Sequence, residues 1–249
     1  MTQLKALIFD VDGTLAETER DGHRIAFNLA FAEAGLNWNW TEDLYGKLLE
    51  ISGGKERIHH YIQQYKPDQK EILENLIPQL HQAKTQYYRQ RLSSGKIALR
   101  LGIKRLIEEA YQQKIRLAIA TTSALPNTLA LLEKHLDPDW FEIIAAGDIV
   151  PHKKPSPDIY QYVLQKMKLD PVNCLVFEDS YHGLQAANQA NLKTVITIHN
   201  YTQDQDFSLA TLVLNHLGEP DQPFTVIRGD VNHKNYFDLD LAHYLVNLQ

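Results

Sequence analysis

The sequence predicts a doubly wound α/β core with a parallel sheet, interrupted by an inserted all-helical segment. Short apolar runs bounded by polar turns alternate with amphipathic stretches at the start of the chain and again from about residue 97. Strands that alternate with helices of about 10 to 15 residues require right-handed crossovers, which give a parallel sheet covered on both faces. The predicted strands are residues 4–9, 116–121, 143–146, 175–177 and 194–198, and the predicted core helices are residues 102–113, 125–136, 157–167 and 183–190.

Two pairs of residues predict helix starts within this core. Ser156-Pro157 and Asp170-Pro171 each place a capping oxygen before a proline at the first helical position. At the other end of the chain, leucines and a tyrosine at helical spacing predict an amphipathic helix, whereas residues 218–222 and 228–234 are typical of loops. The residues of that last helix pattern are Leu239, Leu241, Tyr244, Leu245 and Leu248.

Residues 16–95 have a different pattern from the rest of the chain. Apolar positions recur there at three- and four-residue spacing, as in Leu44, Leu48 and Ile51, without β-branched runs. We therefore expect about four helices in this segment and a return to the core at the turn Ser93-Ser94-Gly95. The predicted domains are an α/β core of residues 1–15 and 96–249 and a helical domain of residues 16–95.

Composition and charge exclude several classes of protein. The net charge is −6 and no basic run occurs, which argues against nucleic acid as a partner. The sequence contains no uninterrupted apolar stretch of about 18 residues, so no membrane span is predicted. The N-terminus does not resemble a signal peptide. The single cysteine, Cys174, lies in an apolar run and is expected to be buried and unreactive. We expect a cytoplasmic monomer, or a protein of the plastid stroma if a transit peptide has been removed.

Two aspartates directly after the first predicted strand are the strongest functional signal. Asp10 and Asp12, followed by Gly13, lie two residues apart, at the carboxyl edge where open α/β sheets bind ligands. Neighbouring carboxylates repel each other unless a cation lies between them, and Mg²⁺ prefers such oxygen ligands. A plain turn or a calcium loop is the alternative, but Thr14-Leu15 follows where a calcium loop needs further acids.

Three further polar clusters follow later strands or precede helices. Thr121-Thr122-Ser123 offers hydroxyl and N–H groups to a phosphate, although Ser123 is equally compatible with a simple helix cap. The lysine pair 153–154 supplies cations, although such pairs are commonly solvated. The acidic pair 178–179 again requires a cation, or caps a helix through Asp179 or Ser180.

In order along the chain, these clusters resemble the four motifs of the haloacid dehalogenase (HAD) superfamily. The corresponding residues are Asp10-x-Asp12-Gly-Thr, Thr121, Lys154-Pro155 and Glu178-Asp179. More narrowly, residues 16–19, 53–57, 120–123 and 153–160 are similar to the CbbY-type phosphatases, a subfamily related to β-phosphoglucomutase and encoded near carbon-fixation genes. The resemblance implies a HAD-like, Rossmannoid core with an inserted helical cap.

The resemblance implies a two-step phosphoryl transfer. Asp10 would be the nucleophile that forms an aspartyl-phosphate, and Asp12 the general acid and base. Thr121, the backbone of Thr122 and Lys154 would hold the phosphoryl oxygens.

The implied cofactor is Mg²⁺. Its ligands would be the side chains of Asp10 and Asp179, the backbone carbonyl of Asp12 and, directly or through water, Glu178. A cation beside Asp10 but not beside the Asp12 carboxylate would keep Asp12 protonated while Asp10 is ionised.

The cap is implied to select the substrate. Glu19, His23 and Arg24 near the hinge, and Lys55 and Arg57 after a Gly-Gly turn, would be substrate contacts, and a second phosphate on the sugar would explain the cations. Without the resemblance, each of them is equally compatible with a solvated helix. The segment before His23 is one residue longer than the family pattern. The remaining histidines show no metal-ligand spacing, so no role is predicted for them.

The implied reaction is hydrolysis of a small sugar phosphate, with xylulose 1,5-bisphosphate, an inhibitor of ribulose bisphosphate carboxylase, as the substrate. Two alternatives stay open. A phosphosugar mutase of the β-phosphoglucomutase type would share all four motifs. An inactive phosphosugar-binding module would not need the intact residues Asp10, Asp12, Lys154 and Asp179.

Overall fold

A seven-stranded sheet forms the centre of the computed structural model, which describes residues 3–66, 68 and 70–248. The strand order is β3-β2-β1-β4-β5-β6-β7, and each neighbouring pair is parallel except β6 and β7. The predicted parallel α/β core is confirmed. The strands are β1 Ala6–Phe9, β2 Arg116–Thr121, β3 Phe141–Ala146, β4 Cys174–Glu178, β5 Lys193–Thr197, β6 Leu212–Leu214 and β7 Val226–Arg228.

Helices cover both faces of this sheet, and a second group of helices lies between β1 and β2 in the chain. The second group is α1 Arg24–Glu33, α2 Glu42–Leu48, α3 Gly54–Tyr65, α4 Lys70–Glu74 and α5 Ile77–Ser93, preceded by a π-helical turn Glu19–His23. The helices that follow it along the chain are α6 Ile103–Gln112, α7 Leu125–His135, α8 Asp158–Met167, α9 Tyr181–Gln189 and α10 Leu239–Asn247.

Alternation along the strands produces a hydrophobic core on each face. In β1, Leu7 and Phe9 join the cluster that includes residues of α6 and α10, while Ala6 and Ile8 join the cluster that includes residues of α8 and α9. Successive side chains of a strand point to opposite faces, so both sets of a central parallel strand are apolar. Cys174 is buried in the second cluster, as predicted, and burial raises the pKa of its thiol to about 12.

The inserted helices have a hydrophobic core of their own, rich in aromatic residues. Phe27, Phe31, Trp38, Trp40 and Tyr61 are buried there. This separate core supports the predicted division into a helical domain of residues 16–95, hereafter the cap, and a catalytic core. The division itself stays a prediction.

The two predicted proline-marked helix starts are wrong in detail. Helix α8 begins at Asp158, one residue after Pro157, and the hydroxyl of Ser156 donates to the Asp158 carboxylate, so Ser156 does not cap a backbone N–H. Pro171 opens a 3₁₀ helix of only three residues, and Asp170 makes no side-chain cap. The chain enters β4 immediately afterwards, which leaves no room for an α-helix.

The C-terminal helix prediction is confirmed, whereas β6 and β7 were not predicted. Leu239, Leu241 and Leu245 of α10 are buried, and Asp238 caps it by accepting the N–H of Leu241 at 2.9 Å. Strands β6 and β7 have three residues each, too few for a visible alternation. Among the residues that the structure describes, no helix is both long and apolar enough to cross a membrane.

Candidate active site

Asp10 lies immediately beyond β1, at the edge where β1, β2 and β4 all end. Its backbone N–H donates to the carbonyl of Phe177 in β4 at 3.0 Å. Lys154 reaches it from a loop far along the chain, with Nζ at 2.7 Å from Oδ1 of Asp10, 2.5 Å from Oε1 of Glu178 and 2.8 Å from the carbonyl of Ala120. The structure therefore brings together the polar groups that follow three different strands.

Three carboxylates meet at this edge. Asp10, Glu178 and Asp179 each offer an oxygen, these oxygens lie within 4.8 Å of one another, and all three residues are buried. Burial raises the pKa of Asp10 well above its ordinary value, the charges of Glu178 and Asp179 raise it further, and Lys154 opposes them. Hard oxygen donors crowded in this way fit a divalent cation such as Mg²⁺.

Glu178 accepts more hydrogen bonds than either aspartate, because Lys154 and Tyr160 both donate to one of its oxygens and further donors reach the other. Oε1 accepts from Lys154 and from the hydroxyl of Tyr160, at 2.5 and 2.6 Å, and Oε2 accepts the N–H of Asp179 at 3.2 Å. With its oxygens bound by these donors, Glu178 fits the predicted contact through water better than a direct one.

Two glycines are required by close approaches at this site. A Cβ on Gly13, which has φ +86°, would collide with the carboxylate of Asp179, and a Cβ on Gly183 would collide with that of Glu178. The backbone at Gly13 therefore packs directly against the carboxylate of Asp179, without room for a side chain between them.

Asp12 faces the cap and not the cluster of carboxylates. Its Oδ1 accepts hydrogen bonds from the hydroxyl of Thr18, at 2.5 Å, and lies 2.8 Å from Nε2 of His23. The ring of His23 stacks on Tyr88 of α5, with ring centroids 4.2 Å apart. Within the described part of the chain, the Asp12 side chain does not belong to the group of carboxylates that could hold a cation, in line with the predicted use of its backbone carbonyl.

The segment before His23, which is predicted to be one residue longer than the family pattern, forms the π-helical turn Glu19–His23. Such turns accommodate one residue more than an α-helix and are frequent at functional sites. Gly22 in this turn lies so close to Tyr88 and Ile97 that a Cβ would be only 3.0 and 2.8 Å from their side chains. This turn brings His23 to Asp12.

The protein's own side chains shift the pKa values of the two aspartates in opposite directions. Burial raises the pKa of Asp12, but attraction to His23 and the hydrogen bonds from His23 and Thr18 outweigh it, so the pKa lies below its ordinary value. At Asp10 the effect of burial is larger than that of Lys154, so the pKa of Asp10 lies above its ordinary value. The sequence predicted the opposite, with Asp10 ionised and Asp12 protonated. That predicted state depends on a cation beside Asp10.

Thr121 and Thr122 lie where β2 ends. Thr121 is buried, and its hydroxyl oxygen accepts the N–H of Ser123 at 3.1 Å. Helix α7 begins at Leu125 with no side-chain cap, so Ser123 is not the helix cap that the sequence left open. By contrast, Ser180 does cap α9, because its hydroxyl accepts the N–H of Gly183 at 3.1 Å.

Two adjoining cavities open from the site. The larger, of about 530 Å³, is lined by Asp10, Thr121, Lys154 and Asp179 together with residues of the cap. The smaller, of about 290 Å³, lies beside Asp12 and His23 and carries four cationic side chains. Those cations are Lys55, Arg57, Lys84 and Lys153, and Asp12, Glu19, Arg57 and Thr122 line both cavities.

The predicted cap residues differ in how directly they face these cavities. Arg57 is buried and donates to the carbonyl of Leu48 at 3.1 Å and to the hydroxyl of Tyr45 at 2.9 Å, while that hydroxyl donates to Glu19. Lys55 lies at the rim of the smaller cavity, half exposed, with Nζ 3.1 Å from Asp148.

Arg24 is the predicted substrate contact that the structure does not place with the others. Its guanidinium lies 3.4 Å from both the carbonyl of Trp40 and the carboxylate of Glu42, and it lines neither cavity. Helix α1 turns Arg24 toward α2, although it follows His23 directly in the sequence.

Lys84 and His199 line the two cavities, although no role was predicted for either of them. Lys84 is buried in the smaller cavity, and its signal in the sequence is a lysine at four-residue spacing within the apolar stripe Leu80, Tyr88 and Leu92 of α5. His199, for which no role was predicted from spacing, lies with Nε2 2.7 Å from Oδ2 of Asp179 and lines the larger cavity. No local pattern indicates that contact, because the two residues belong to loops after different strands.

Comparison with known proteins identifies the family. The model of the haloacid dehalogenase-like hydrolases matches residues 7–197. The protein CbbY of Cupriavidus necator is 45% identical, with 88% of each chain covered. The fold is similar to a crystal structure of a CbbY mutant from Rhodobacter sphaeroides in complex with xylulose-(1,5)bisphosphate, with a TM-score of 0.79. The two sequences are 41% identical, and the match covers 86% of this chain and 95% of that one. A phosphorylated carbohydrates phosphatase of Thermotoga maritima is 28% identical, covering 81% of this chain and 88% of its own. The chain belongs to the haloacid dehalogenase-like hydrolase family.

Proposed function

We propose that this phosphatase hydrolyses a small sugar bisphosphate in a magnesium-dependent reaction, with xylulose 1,5-bisphosphate as substrate and xylulose 5-phosphate and phosphate as products. The observation that carries the proposal is the position of Asp10, which lines the larger cavity and lies close to Lys154 and to two further carboxylates. The cavity continues to a second, cationic cavity under the cap. The CbbY relative in complex with the same bisphosphate supports this choice of substrate.

The chain's own residues supply the nucleophile and the charge compensation. Asp10 attacks phosphorus and becomes the aspartyl-phosphate, while Lys154 and Thr121 at the same strand ends donate to the phosphoryl oxygens. Lys154 already contacts Asp10, so it can stabilise the charge that moves from the carboxylate to the phosphoryl group. Mg²⁺, held by Asp10, Asp179 and the backbone carbonyl of Asp12, would neutralise phosphoryl charge and favour the ionised form of Asp10.

Asp12 is placed to move a proton at the leaving-group oxygen. Its carboxylate is close to Asp10 in sequence but turned toward the cap, where Thr18 and His23 hold one of its oxygens. For the first step Asp12 must carry a proton, against the direction in which His23 and Thr18 shift its pKa. It would give that proton to the departing sugar oxygen and later take one from the water that hydrolyses the aspartyl-phosphate. Because the contacts to Asp12 come from the cap segment, seating of the cap on the core orients this group.

The smaller cavity is the proposed site of the distal phosphate. Lys84 is only 5% exposed, and within the described residues it makes no hydrogen bond or ion pair. Its Nζ lies 4.9 Å from the ring centre of Phe27 and 5.8 Å from that of Tyr88. Burial lowers the pKa of Lys84 to about 8, although the charges of Asp12 and Glu19 act in the opposite direction. A buried cation that has no direct ion-pair partner among the described residues favours an anionic ligand.

Replacing Lys84 by Met is expected to impair bisphosphate binding more than monophosphate binding. A hydrogen bond to a charged group contributes about 1.5–3 kcal/mol, so the KM for a sugar bisphosphate should rise roughly 10- to 100-fold. The KM for the matching monophosphate, which has no distal phosphate, should change much less. Steady-state phosphate release with both substrates measures the difference.

Lys153→Met is the matched control for this experiment. Lys153 lines the same cavity, but Glu56 and Asp148 already neutralise it at 2.6 and 3.1 Å. We expect a smaller rise in KM than for Lys84→Met. Equal effects of Lys84→Met on both substrates would contradict a distal-phosphate site at Lys84.

A panel of sugar mono- and bisphosphates tests the proposed function itself. Phosphate release and isomerised sugar phosphate are measured in parallel, with and without Mg²⁺ after treatment with a chelator. The proposal expects Mg²⁺-dependent release of one phosphate, with the highest kcat/KM for xylulose 1,5-bisphosphate. Isomerised product without free phosphate would identify a mutase, and binding without turnover of any member would identify an inactive module.

A further inference from the structure

The side chain of His199 is buried directly against Asp179. Its Nε2 lies 2.7 Å from Oδ2 of Asp179, and its Nδ1 accepts the backbone N–H of Tyr201 at 3.2 Å. A ring nitrogen that accepts a hydrogen bond carries no proton, so the proton of the neutral imidazole is assigned to Nε2. His199 therefore donates a hydrogen bond to Asp179.

Asp179 is consequently held at both carboxylate oxygens. While Oδ2 accepts from His199, Oδ1 accepts from the hydroxyl of Thr14 at 3.4 Å. Gly13 packs against the same carboxylate and the His199 ring so closely that a Cβ there would collide with both. The carboxylate has little freedom to rotate.

The turn that carries His199 is itself fixed to the core. The guanidinium of Arg100 donates to the carbonyls of Thr197 and Ile198 at 3.1 and 2.6 Å, immediately before His199. The N–H of His199 donates to the hydroxyl of Thr202 at 3.1 Å, which closes the turn. His199 is thus presented to Asp179 from a backbone with several anchors.

The same turn is also in contact with the cap. Tyr201 lies edge-on to Tyr45 of α2, with ring centroids 6.1 Å apart, and packs so closely on Gly46 that a Cβ there would be 3.1 Å from the tyrosine ring. The turn is therefore held between the catalytic core and the cap.

We propose that His199 is a positioning residue that orients the carboxylate of Asp179 for the divalent cation. The inference rests on the proposed function, in which Asp179 is a cation ligand. A hydrogen bond to a ligating carboxylate fixes its direction before the cation arrives, so less freedom is lost on binding. His199 acts through Asp179 and needs no contact with the substrate.

Cation affinity of the substrate-free protein tests this role without reference to turnover. Titration with Mg²⁺ in a calorimeter, or with Mn²⁺ followed by its paramagnetic resonance signal, gives the dissociation constant. His199→Leu should raise it roughly 10- to 100-fold, the loss typical when such a supporting hydrogen bond is removed. His199→Gln, whose amide N–H reaches about as far as Nε2, should restore most of the affinity.

His182→Leu is the control for changing a histidine in this cavity. His182 also lines the larger cavity, but in the described part of the chain it makes no hydrogen bond to Asp179, and its replacement should leave the cation affinity unchanged. If His199→Leu fails to fold, as judged by thermal unfolding without cation, His199→Gln and His199→Asn replace it, and the shorter asparagine should bind the cation more weakly.

Asp179→Asn separates failure of this inference from failure of the proposed function. If Asp179→Asn loses the cation while His199→Leu binds it as the wild type does, the positioning role is wrong and the cation site stands. If Asp179→Asn also binds normally, the cation site and the proposed function are both wrong. Equal affinities of the His199→Gln and His199→Asn variants would likewise overturn the positioning role.

Discussion

Replacing Asp10 by Asn is expected to abolish phosphate release, lowering kcat by roughly 10⁴-fold or more, as is typical when a covalent nucleophile is lost. The amide has nearly the same shape as the carboxylate, but its oxygen is a poor nucleophile toward phosphorus. Asparagine also removes one of three crowded negative charges next to Lys154, so the fold should not be destabilised. The variant should therefore retain its thermal stability and still bind substrate.

Two measurements check this expectation. Phosphate release gives the loss of kcat, and acid quenching with radiolabelled substrate tests for a phosphorylated protein, which should form in the wild type and not in Asp10→Asn. Asp221→Asn, at an exposed aspartate of the catalytic core, serves as the control and should behave like the wild type. Full activity of Asp10→Asn would show that another group is the nucleophile.

Replacing Lys154 by Met is expected to reduce both activity and stability. Lys154 is 5% exposed and makes ion pairs with Asp10 and Glu178 at 2.7 and 2.5 Å. Removing one partner of a buried ion pair typically costs about 3–5 kcal/mol, because the remaining charges stay buried without compensation. Loss of the cation at the phosphoryl group should also lower kcat by roughly 10²- to 10³-fold.

The pH dependence of this variant gives a second, more specific readout. Lys154 lowers the pKa of Asp10, which burial raises, so without the lysine the pKa of folded Asp10 should rise further. A carboxyl whose pKa is raised in the folded state costs stability as the pH rises above its unfolded pKa, and this cost disappears on acidification. Denaturant titrations should therefore show a larger loss of stability at pH 8 than at pH 5.

Lys153→Met is the neighbouring control for Lys154→Met. Lys153 contacts half-exposed Glu56 and exposed Asp148, and such surface pairs contribute about 0–1 kcal/mol. Its replacement should change stability little at either pH. A pH-independent effect of Lys154→Met, equal to that of Lys153→Met, would contradict the buried role of Lys154.

The sequence predicted well those features that depend on local pattern. Apolar runs that alternate with amphipathic stretches predicted the parallel core, since each run is a buried strand and each stretch covers a face. Polar residues directly after these runs, such as Asp10 and Thr121, were predicted to meet because parallel strands end at one edge of a sheet. The structure brings these strand ends together, with Lys154 in contact with both Asp10 and Glu178.

Local pattern was less informative where an element is short or where its boundary depends on neighbours. The three-residue strands β6 and β7 have too few positions for an alternation, and Pro171 opens only a single 3₁₀ turn because β4 follows at once. The π-helical turn before His23 was not predicted either, and in it Gly22 packs closely on Tyr88, which is distant in sequence.

By itself, the sequence determined the fold class, the order of the acidic and cationic groups along it, and the family resemblance, because each is encoded in residues close together in the chain. Only the tertiary structure decided which cap residues face the site. It turned Arg24 toward Glu42, buried Lys84 beside Asp12 and placed His199 on Asp179. These contacts join segments that are distant in sequence and follow no common period, so they are fixed by how the cap and the loops pack against the sheet.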